Sequence, residues 1–273
     1  MMNKPFLKWA GNKFKVLPHL IPLIGYPNRF CEPFGGSLSV ALNVVANEYI
    51  LNDINSDLIH IYTYLLSDRG NEFIRECKNY FEFNDKELYL NLRKEFNDST
   101  DSWKRALLFI YLNRHCFNGL SRYNKSGKFN VPFGKYDSPK FPKEEMENFI
   151  SFFGSKKNTK FTSVSFQNTS LYENLTDGDV VYFDPPYIPV SDTASFTDYA
   201  TEGFTHQQQL ELVELSESLA NRGVKVVLSN HDLPLTRELY KNATIYPIQV
   251  SRTISAKGSS RKKANELIAV YQS

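Results

Sequence analysis

The chain has 273 residues, 41% of them hydrophobic and 23% charged, with a formal net charge of +2. That is globular composition for one large domain, or for a domain carrying an insertion, and it argues against wholesale disorder. No apolar run approaches the roughly 18 residues of a membrane span, and the opening "MMNKPFLKWAGNK" lacks an apolar signal-peptide core.

Cys31, Cys77 and Cys116 are widely spaced and odd in number, so they form neither a disulfide framework nor a zinc signature. The five histidines show no metal spacing, and a reducing cytoplasm is the expected setting. Net charge alone does not announce a nucleic-acid binder. Two basic regions do stand out, Arg114 to Lys143 and "RTISAKGSSRKK" from Arg252 to Lys263. Each taken alone reads as a solvated loop, whereas together with the motifs below they read as a face for phosphates.

In chain order, "RFCEPF" predicts a buried strand, "GGS" a break, and "LSVALNVVAN" a helix by its apolar spacing. "EYILNDIN" predicts a second strand ending at Asp53, so this is an α/β unit with a parallel sheet. The character changes between 56 and 149. "SDLIHIYTYLL", "NEFIRECKNYF", "KELYLNLRKEF" and "WKRALLFIYLNRH" predict amphipathic helices with no strong strand between them. "NGLSRYNKSGKFNVPFGKY" follows as a hairpin or long loop. The α/β pattern then resumes. "DGDVVYF" predicts a strand, and "THQQQLELVELSESLANRG" a helix with a capping box between Thr205 and Gln208. "VKVVLSN" predicts a strand, "LPLTRELYKNA" a short helix, and "TIYPIQVSRTI" with "NELIAVYQ" a terminal hairpin. The domains expected are therefore 1–55 with 150–273, interrupted by an insertion over 56–149.

Two stretches carry chemistry. Glu32-Pro33-Phe34-Gly35-Gly36-Ser37 lies between a strand and the helix expected after it, where glycines let a ligand approach the backbone. Asp53, at the end of the next strand, stands about 20 residues on, where an acid accepts from ribose hydroxyls. This pattern suits a nucleoside cofactor or a plain structural turn. The dinucleotide fingerprint and the P-loop are both absent.

The second stretch is "VVYFDPPYIP". Pro185 and Pro186 donate no backbone hydrogen bonds, so the strand stops and a stiff corner presents the Asp184 carboxylate and the Tyr187 ring. Two acceptors, the Asp184 carboxylate and the Pro185 carbonyl, suit the two hydrogens of a nucleobase amino group. Binding both would favour the pyramidal nitrogen that attacks a methyl group. Tyr187 would stack on the base. A proline-rich loop after a strand is the plainer reading. Ser229, His231 and Asp232 suggest a hydrolase triad by type, but no nucleophile-elbow glycines flank Ser229.

Taken together these motifs resemble the Dam family of DNA adenine methyltransferases, the S-adenosylmethionine-dependent group with a D-P-P-Y motif in the alpha arrangement. The resemblance covers nearly the whole chain. "PFLKWAGNK" is similar to the N-terminal cofactor motif, "EPFGGSLSV" to the glycine-rich motif and "YILNDINSDLI" to the ribose-binding segment. "LNRHCFNGLSRYNKSGKFNVPFGKY" is similar to the target-recognition part, and "VVYFDPPYIPVSDTASFTDY" to the catalytic motif with its loop. "VLSNHD" and "RTISAKGSSRKKANELIAVY" also fit.

The resemblance implies a Rossmann-like methyltransferase sheet with helices on both faces and an inserted, mainly helical target-recognition domain. It implies cofactor roles for Trp9, Ala10, Gly11 and Lys13, for Glu32, Phe34, Gly36 and Ser37, for Asp53 on the ribose, and for Asp184. Asp184, Pro185, Pro186 and Tyr187 become the catalytic corner. Lys8, Leu120, Arg122 and Pro132 match base-reading positions in GATC-specific members, and Phe117 with Asn118 matches a pair inserted beside the extruded adenine. Lys135 and Tyr136 fall in the same DNA-contacting stretch. Phe117 stands where close relatives carry tyrosine.

Two positions depart from the family pattern. Leu38 occupies the last glycine position of F-x-G-x-G, so altered packing is expected there. Asp137 falls in a stretch where relatives often carry lysine, which is expected to weaken one phosphate contact. The partner implied is double-stranded DNA, with no metal and no membrane, and the protein is expected to be monomeric and cytoplasmic at the nucleoid. Replication and repair marking, restriction-modification and phage settings all share this chemistry. Cytosine, RNA adenine or a protein glutamine are rival acceptors, although glutamine methyltransferases of similar architecture carry asparagine at the position of Asp184. A DNA-binding regulator without activity is the rival from another class, and the intact D-P-P-Y, Asp53 and Lys13 speak against it.

Overall fold

The computed structural model describes residues 2–155, 158–187, 204–251 and 263–272. The chain divides into two compact units. The first holds Met1–Phe14, Gly36–Asn43 and Asp53–Ser163, and the second holds Lys15–Gly35, Val44–Asn52 and Val164–Ser273. The described residues hold seven strands among helices, so the chain is mixed α/β.

The second unit is built on six of these strands. β1 (Arg29–Glu32) runs parallel to β2 (Glu48–Asn52) on one side and to β4 (Val180–Phe183) on the other. β4 pairs in parallel with β5 (Lys225–His231). The last two strands, β6 (Thr244–Ser251) and β7 (Lys263–Tyr271), form an antiparallel hairpin whose β7 pairs with β5. β4 is buried at every position, as a parallel strand covered on both faces must be. Around it Cys31, Val181, Phe183, Leu212, Val226, Leu228 and Leu267 make a continuous apolar core. In this order the chain runs outward from β1 to β2, then restarts at β4 on the other side of β1. The carboxyl ends of β1 and β4 therefore flank a topological switch point, where open α/β sheets bind ligands. The glycine-rich turn follows β1 and the D-P-P-Y corner follows β4.

Three α-helices accompany these strands in the second unit. α1 (Leu17–Ile24) precedes β1 and was not foreseen, and α7 (His206–Asn221) carries the expected capping box between Thr205 and Gln208. α8 (Pro234–Leu239) is the expected short helix after β5.

In the first unit, all four expected amphipathic helices form. They are α2 (Ser56–Leu66), α3 (Gly70–Asn79), α4 (Lys86–Asp98) and α5 (Ser102–His115). Asn55, Asp85 and Asp101 cap α2, α4 and α5 through their side chains, satisfying amides left without intrahelical partners. α5 is buried nearly all round, with Ala106 to Asn113 inaccessible in an unbroken run. α6 (Lys143–Gly154) and the short β3 (Thr159–Thr162) close this unit.

The helix expected over "LSVALNVVAN" does not form. Only a single 3-10 turn, Ala41–Asn43, is present. Leu38 adopts φ +55, which breaks a right-handed helix at its start. Asn43 then turns its side chain onto the carbonyls of Ser39 and Asn3, and accepts from the Asn3 amide. These contacts compete with helix continuation. Leu38 thus shows why glycine suits its position. The left-handed conformation costs about 1–2 kcal/mol for a residue with a Cβ, a cost offset by burying the leucine side chain, worth about 1.5–3 kcal/mol, at 1% exposure.

Candidate active site and nucleic-acid interface

The glycine-rich stretch is organised in two parts. In the second unit, Asn52 at the end of β2 gathers the turn after β1. Its side chain donates to the Pro33 carbonyl at 2.9 Å and its carbonyl accepts from Gly35 N at 2.8 Å. Glu32 is buried at the end of β1. Phe34 is half-buried, with its ring against Phe166, Phe183 and Phe204.

In the first unit, Gly36 sits at φ +48 directly beneath the Trp9 indole. A Cβ at Gly36 would lie 2.6 Å from Trp9 Nε1, so both the backbone angle and the space demand glycine. Asp53 accepts from Gly36 N through one carboxylate oxygen and from Asn55 N through the other, each at 2.8 Å. It thereby ties the glycine turn to the start of α2, while each oxygen keeps a lone pair for another donor. Burial raises the Asp53 carboxyl pKa, and the two amide donors work against that rise. Tyr62 donates to the Gly36 carbonyl, and Asn12 donates to Ser37 Oγ at 3.1 Å. Lys13 is buried, its amide on Ser39 Oγ and its ammonium on the Gly11 carbonyl at 2.8 Å, while Ala10 and Gly11 are exposed. Trp9, Lys13, Gly36, Ser37 and Asp53 are thus drawn into one framework.

The D-P-P-Y corner leaves β4 with one face of the sheet already polar. Strand side chains alternate faces, so Tyr182 and Asp184 share a face, as do Ser229 and His231 on the neighbouring β5. Ser229 Oγ donates to Asp184 Oδ1 at 2.9 Å and also meets the Tyr182 hydroxyl at 2.9 Å. The other face supports the corner through Asn230. Its side chain donates to Tyr240, whose hydroxyl donates to Gln209, which in turn donates to the Pro186 carbonyl at 3.3 Å. The backbone that cannot donate is therefore held by its carbonyl. Asp184 and Tyr187 are half-buried, Pro185 is buried and Pro186 exposed. The Tyr187 hydroxyl donates to Glu266 Oε2 at 3.2 Å, and its ring meets the His231 ring edge-on at 4.7 Å. No hydrolase triad is present, because Ser229 serves Asp184 and Asp232 is paired with Arg237.

The expected recognition loop is a distorted hairpin rather than a regular one, with isolated bridges Cys116 to Phe133 and Tyr123 to Phe129. Its backbone is held by side chains of α4. Asn97 pairs with Phe129 N and O, while Tyr89 and Arg93 both donate to the Val131 carbonyl. Tyr123 donates to Asp57, which accepts two further bonds from Arg105.

At the base of this loop Asn113, itself buried, pairs with Lys8 N and O. Lys8 crosses Gly119 so closely that a Cβ there would lie 2.4 Å from the lysine's own, and its ammonium sits 4.4 Å over the Tyr136 ring. Tyr136 accepts from Asn118 N at 2.9 Å, and Pro132 accepts from Phe117 N at 2.8 Å. Lys8, Phe117, Asn118, Pro132 and Tyr136 therefore cluster, with Phe117, Asn118, Pro132 and Lys135 exposed and Leu120 half-buried. Arg122 is exposed, its Nε held 2.8 Å from Asn130 Oδ1. Asp137 is exposed, as are Lys125 and Lys128. The basic segment from Arg252 lies outside the described residues, except for the backbone of Lys263, and so does the loop over 188–203.

Several supporting residues escape the motifs. Ser229 falls in "VLSNHD" but carries no local sign of its partner, and Gln209 lies 23 residues from Pro186, Tyr240 31 from Gln209 and Glu266 79 from Tyr187. Only Asn130 had a sequence clue, from its place across the turn from Arg122. Among the described residues no group of three or more His, Cys, Asp or Glu side chains is arranged to hold a metal, and no helix is long and apolar enough to cross a membrane.

Comparison with known proteins bears directly on this geometry. The family described as D12 class N6 adenine-specific DNA methyltransferase matches residues 9–254. The DNA adenine methylase of Escherichia coli K12 is 44% identical over 99% of this chain and 96% of its own length. That of Serratia marcescens is 44% identical over 99% of both chains, and that of Vibrio cholerae serotype O1 is 43% identical over 98% and 96%. With the strand order of the second unit, an acid-proline-proline-tyrosine corner at its switch point and these likenesses, the chain belongs to the D12 class of N6 adenine-specific DNA methyltransferases.

Proposed function

We propose that the protein transfers the methyl group of S-adenosylmethionine to the amino nitrogen of an adenine extruded from duplex DNA, within GATC. The observation that carries this reading is the Asp184 corner. A half-buried carboxylate, fixed by Ser229 at the carboxyl end of β4, stands beside a tyrosine whose ring is held at both its edge and its hydroxyl.

The residues present suit such a cofactor. Asp53 has a lone pair on each oxygen for ribose hydroxyls, and the Trp9 indole packs over Gly36 too closely for any Cβ there. In the first unit, Trp9, Ala10, Gly11, Lys13, Gly36, Ser37 and Asp53 are the residues that suit a bound cofactor. In the second unit, taken by itself, the resemblance gives cofactor roles to Glu32, Phe34 and Asp184. When bound, the cofactor supplies an electrophilic methyl on a sulfonium. Asp184 and the Pro185 carbonyl accept the hydrogens of the adenine amino group and favour its pyramidal form. Tyr187 stacks on the base, which must leave the helix because its nitrogen is otherwise inaccessible.

Arg122 reads a guanine through paired donors, with Lys8, Leu120 and Pro132 contacting the other bases. Phe117 and Asn118 fill the gap left in the duplex. Lys135, Tyr136 and the lysines from Lys125 onward contact the backbone, together with the Arg252 to Lys263 segment. In this reading 56–149 is the target-recognition insertion of a catalytic domain made from 1–55 and 150–273. The protein works as a monomer in the cytoplasm at the nucleoid.

The test is tritiated methyl transfer to a panel of duplexes comprising GATC, its single-base variants, and a GATC duplex whose target base lacks the amino group. Incorporation confined to GATC with an intact amino group is the expected result. Equal incorporation into all variants would remove the recognition roles, and incorporation without the amino group would remove the acceptor.

A further inference from the structure

The D-P-P-Y corner has an unusual weakness. Two prolines in succession remove two backbone donors just before Tyr187, so the sheet ladder does not set the angle of the ring. What meets the ring lies instead on the far strands. His231 on β5 and Glu266 on β7 are directly opposed in the antiparallel register, and their side chains share a face. The His231 ring meets Tyr187 at 75° and 4.7 Å, and Glu266 Oε2 accepts the Tyr187 hydroxyl at 3.2 Å. Glu266 is only 8% exposed. A carboxylate placed in a strand interior is costly unless a donor compensates it. At 3.2 Å the hydroxyl bond is long, so the ring is placed by it and by the His231 edge contact together.

We propose that Glu266 is a positioning residue for the reaction: it holds the Tyr187 ring, together with His231, at the angle at which that ring stacks on the extruded adenine. The inference rests on the stacking role given to Tyr187 above. Glu266 also lies beyond the residues that the family match covers, which end at 254. The other titratable groups facing the tyrosine are Asp184 and Tyr182. With burial as the main cause and these neighbouring charges next, the phenol pKa is held well above its ordinary value. The raised pKa favours the protonated phenol, the form that donates to Glu266.

The test uses the full chain in single-turnover methyl transfer on a GATC duplex, while a separate duplex with 2-aminopurine at the target position reports base capture by fluorescence. Glu266→Ala and Tyr187→Phe are each expected to slow transfer about tenfold, the effect of one hydrogen bond to a charged group. The double variant is expected to be no slower than either single one, because both remove the same bond. Glu266→Gln keeps an acceptor and restores the rate to within about threefold. S-adenosylmethionine affinity should be unchanged in all four, which a purely structural role for Glu266 would not give.

A hundredfold loss in the double variant, or a normal rate in Tyr187→Phe, overturns the inference. Tyr187→Phe also decides the matter if Glu266→Ala fails to fold. Tyr187→Ala separates the two readings. If it is fully active, the stacking role falls and the positioning role with it. If it is inactive while Tyr187→Phe and Glu266→Ala keep their rates, stacking stands and only the Glu266 inference is lost.

Discussion

The D-P-P-Y corner and the hairpin after α5, proposed above for catalysis and for recognition, are both irregular backbone, yet they are held in opposite ways. At the corner, strand ends place the chain, and side chains from other strands and from α7 tie down its polar atoms. Ser229 fixes Asp184, Glu266 and His231 fix Tyr187, and Gln209 fixes the Pro186 carbonyl. In the hairpin, α4 side chains tie down the backbone, through Asn97, Tyr89 and Arg93, while the functional tips at Phe117, Asn118 and Arg122 stay exposed. The difference matches the two tasks. A reacting group gains from being placed before the substrate arrives. A reading loop must present side chains to a groove, and only its frame need be rigid.

The contrast can be broken at four points. The largest effect is expected from Asp184→Ala, which should cut methyl transfer by about a thousandfold while leaving a cooperative thermal transition. Full activity would end the catalytic assignment. Next is the anchor beneath the hairpin. Asp57 is 7% and Arg105 21% exposed in the side chain, and the two form a bidentate pair that Tyr123 joins. Arg105→Met leaves Asp57 without its cation and should cost about 3 kcal/mol in urea unfolding. A smaller loss than that of Tyr123→Phe would show that the pair does not hold the frame.

Arg122→Ala should erase about 1–3 kcal/mol of discrimination at one base pair, read as the ratio of rates on matched and mismatched duplexes, with cofactor affinity unchanged. Asn130→Ala should do the same to a lesser degree, since it removes only the group that holds the guanidinium.

The smallest effect is a pH dependence at the hairpin base. His115 is buried, its ring stacked on Tyr111, and its carbonyl accepts from Gly134 N. Burial lowers its pKa from 6.5 to about 4, against a hydrogen bond to the Tyr111 carbonyl. The unfolded chain therefore takes up the proton first. The contribution of neutral His115 is full above about 6.5 and is lost as pH falls towards 4. Urea midpoints should drop between pH 7 and pH 5 more in the wild type than in His115→Gln, and equal drops would assign the loss elsewhere.

Much of this protein was legible in its residue order because the physics there is local. Period and caps are read within a few residues, which is why the four helices from Ser56 to His115 and the capping box at Thr205 appear where expected. Two prolines end a strand wherever they occur, so the corner at Asp184 was also plain. The helix expected after Ser37 failed because apolar spacing says nothing of Leu38 at φ +55, a conformation that tertiary packing imposes and burial sustains.

Residue order by itself thus determined the class of fold, most of the elements and the types of group proposed for the chemistry. Tertiary structure alone decided which groups support them. The sheet brings Ser229 to Asp184 across 45 residues and Glu266 to Tyr187 across 79. Strand pairing places such side chains on one face by register, and register is a property of the whole sheet.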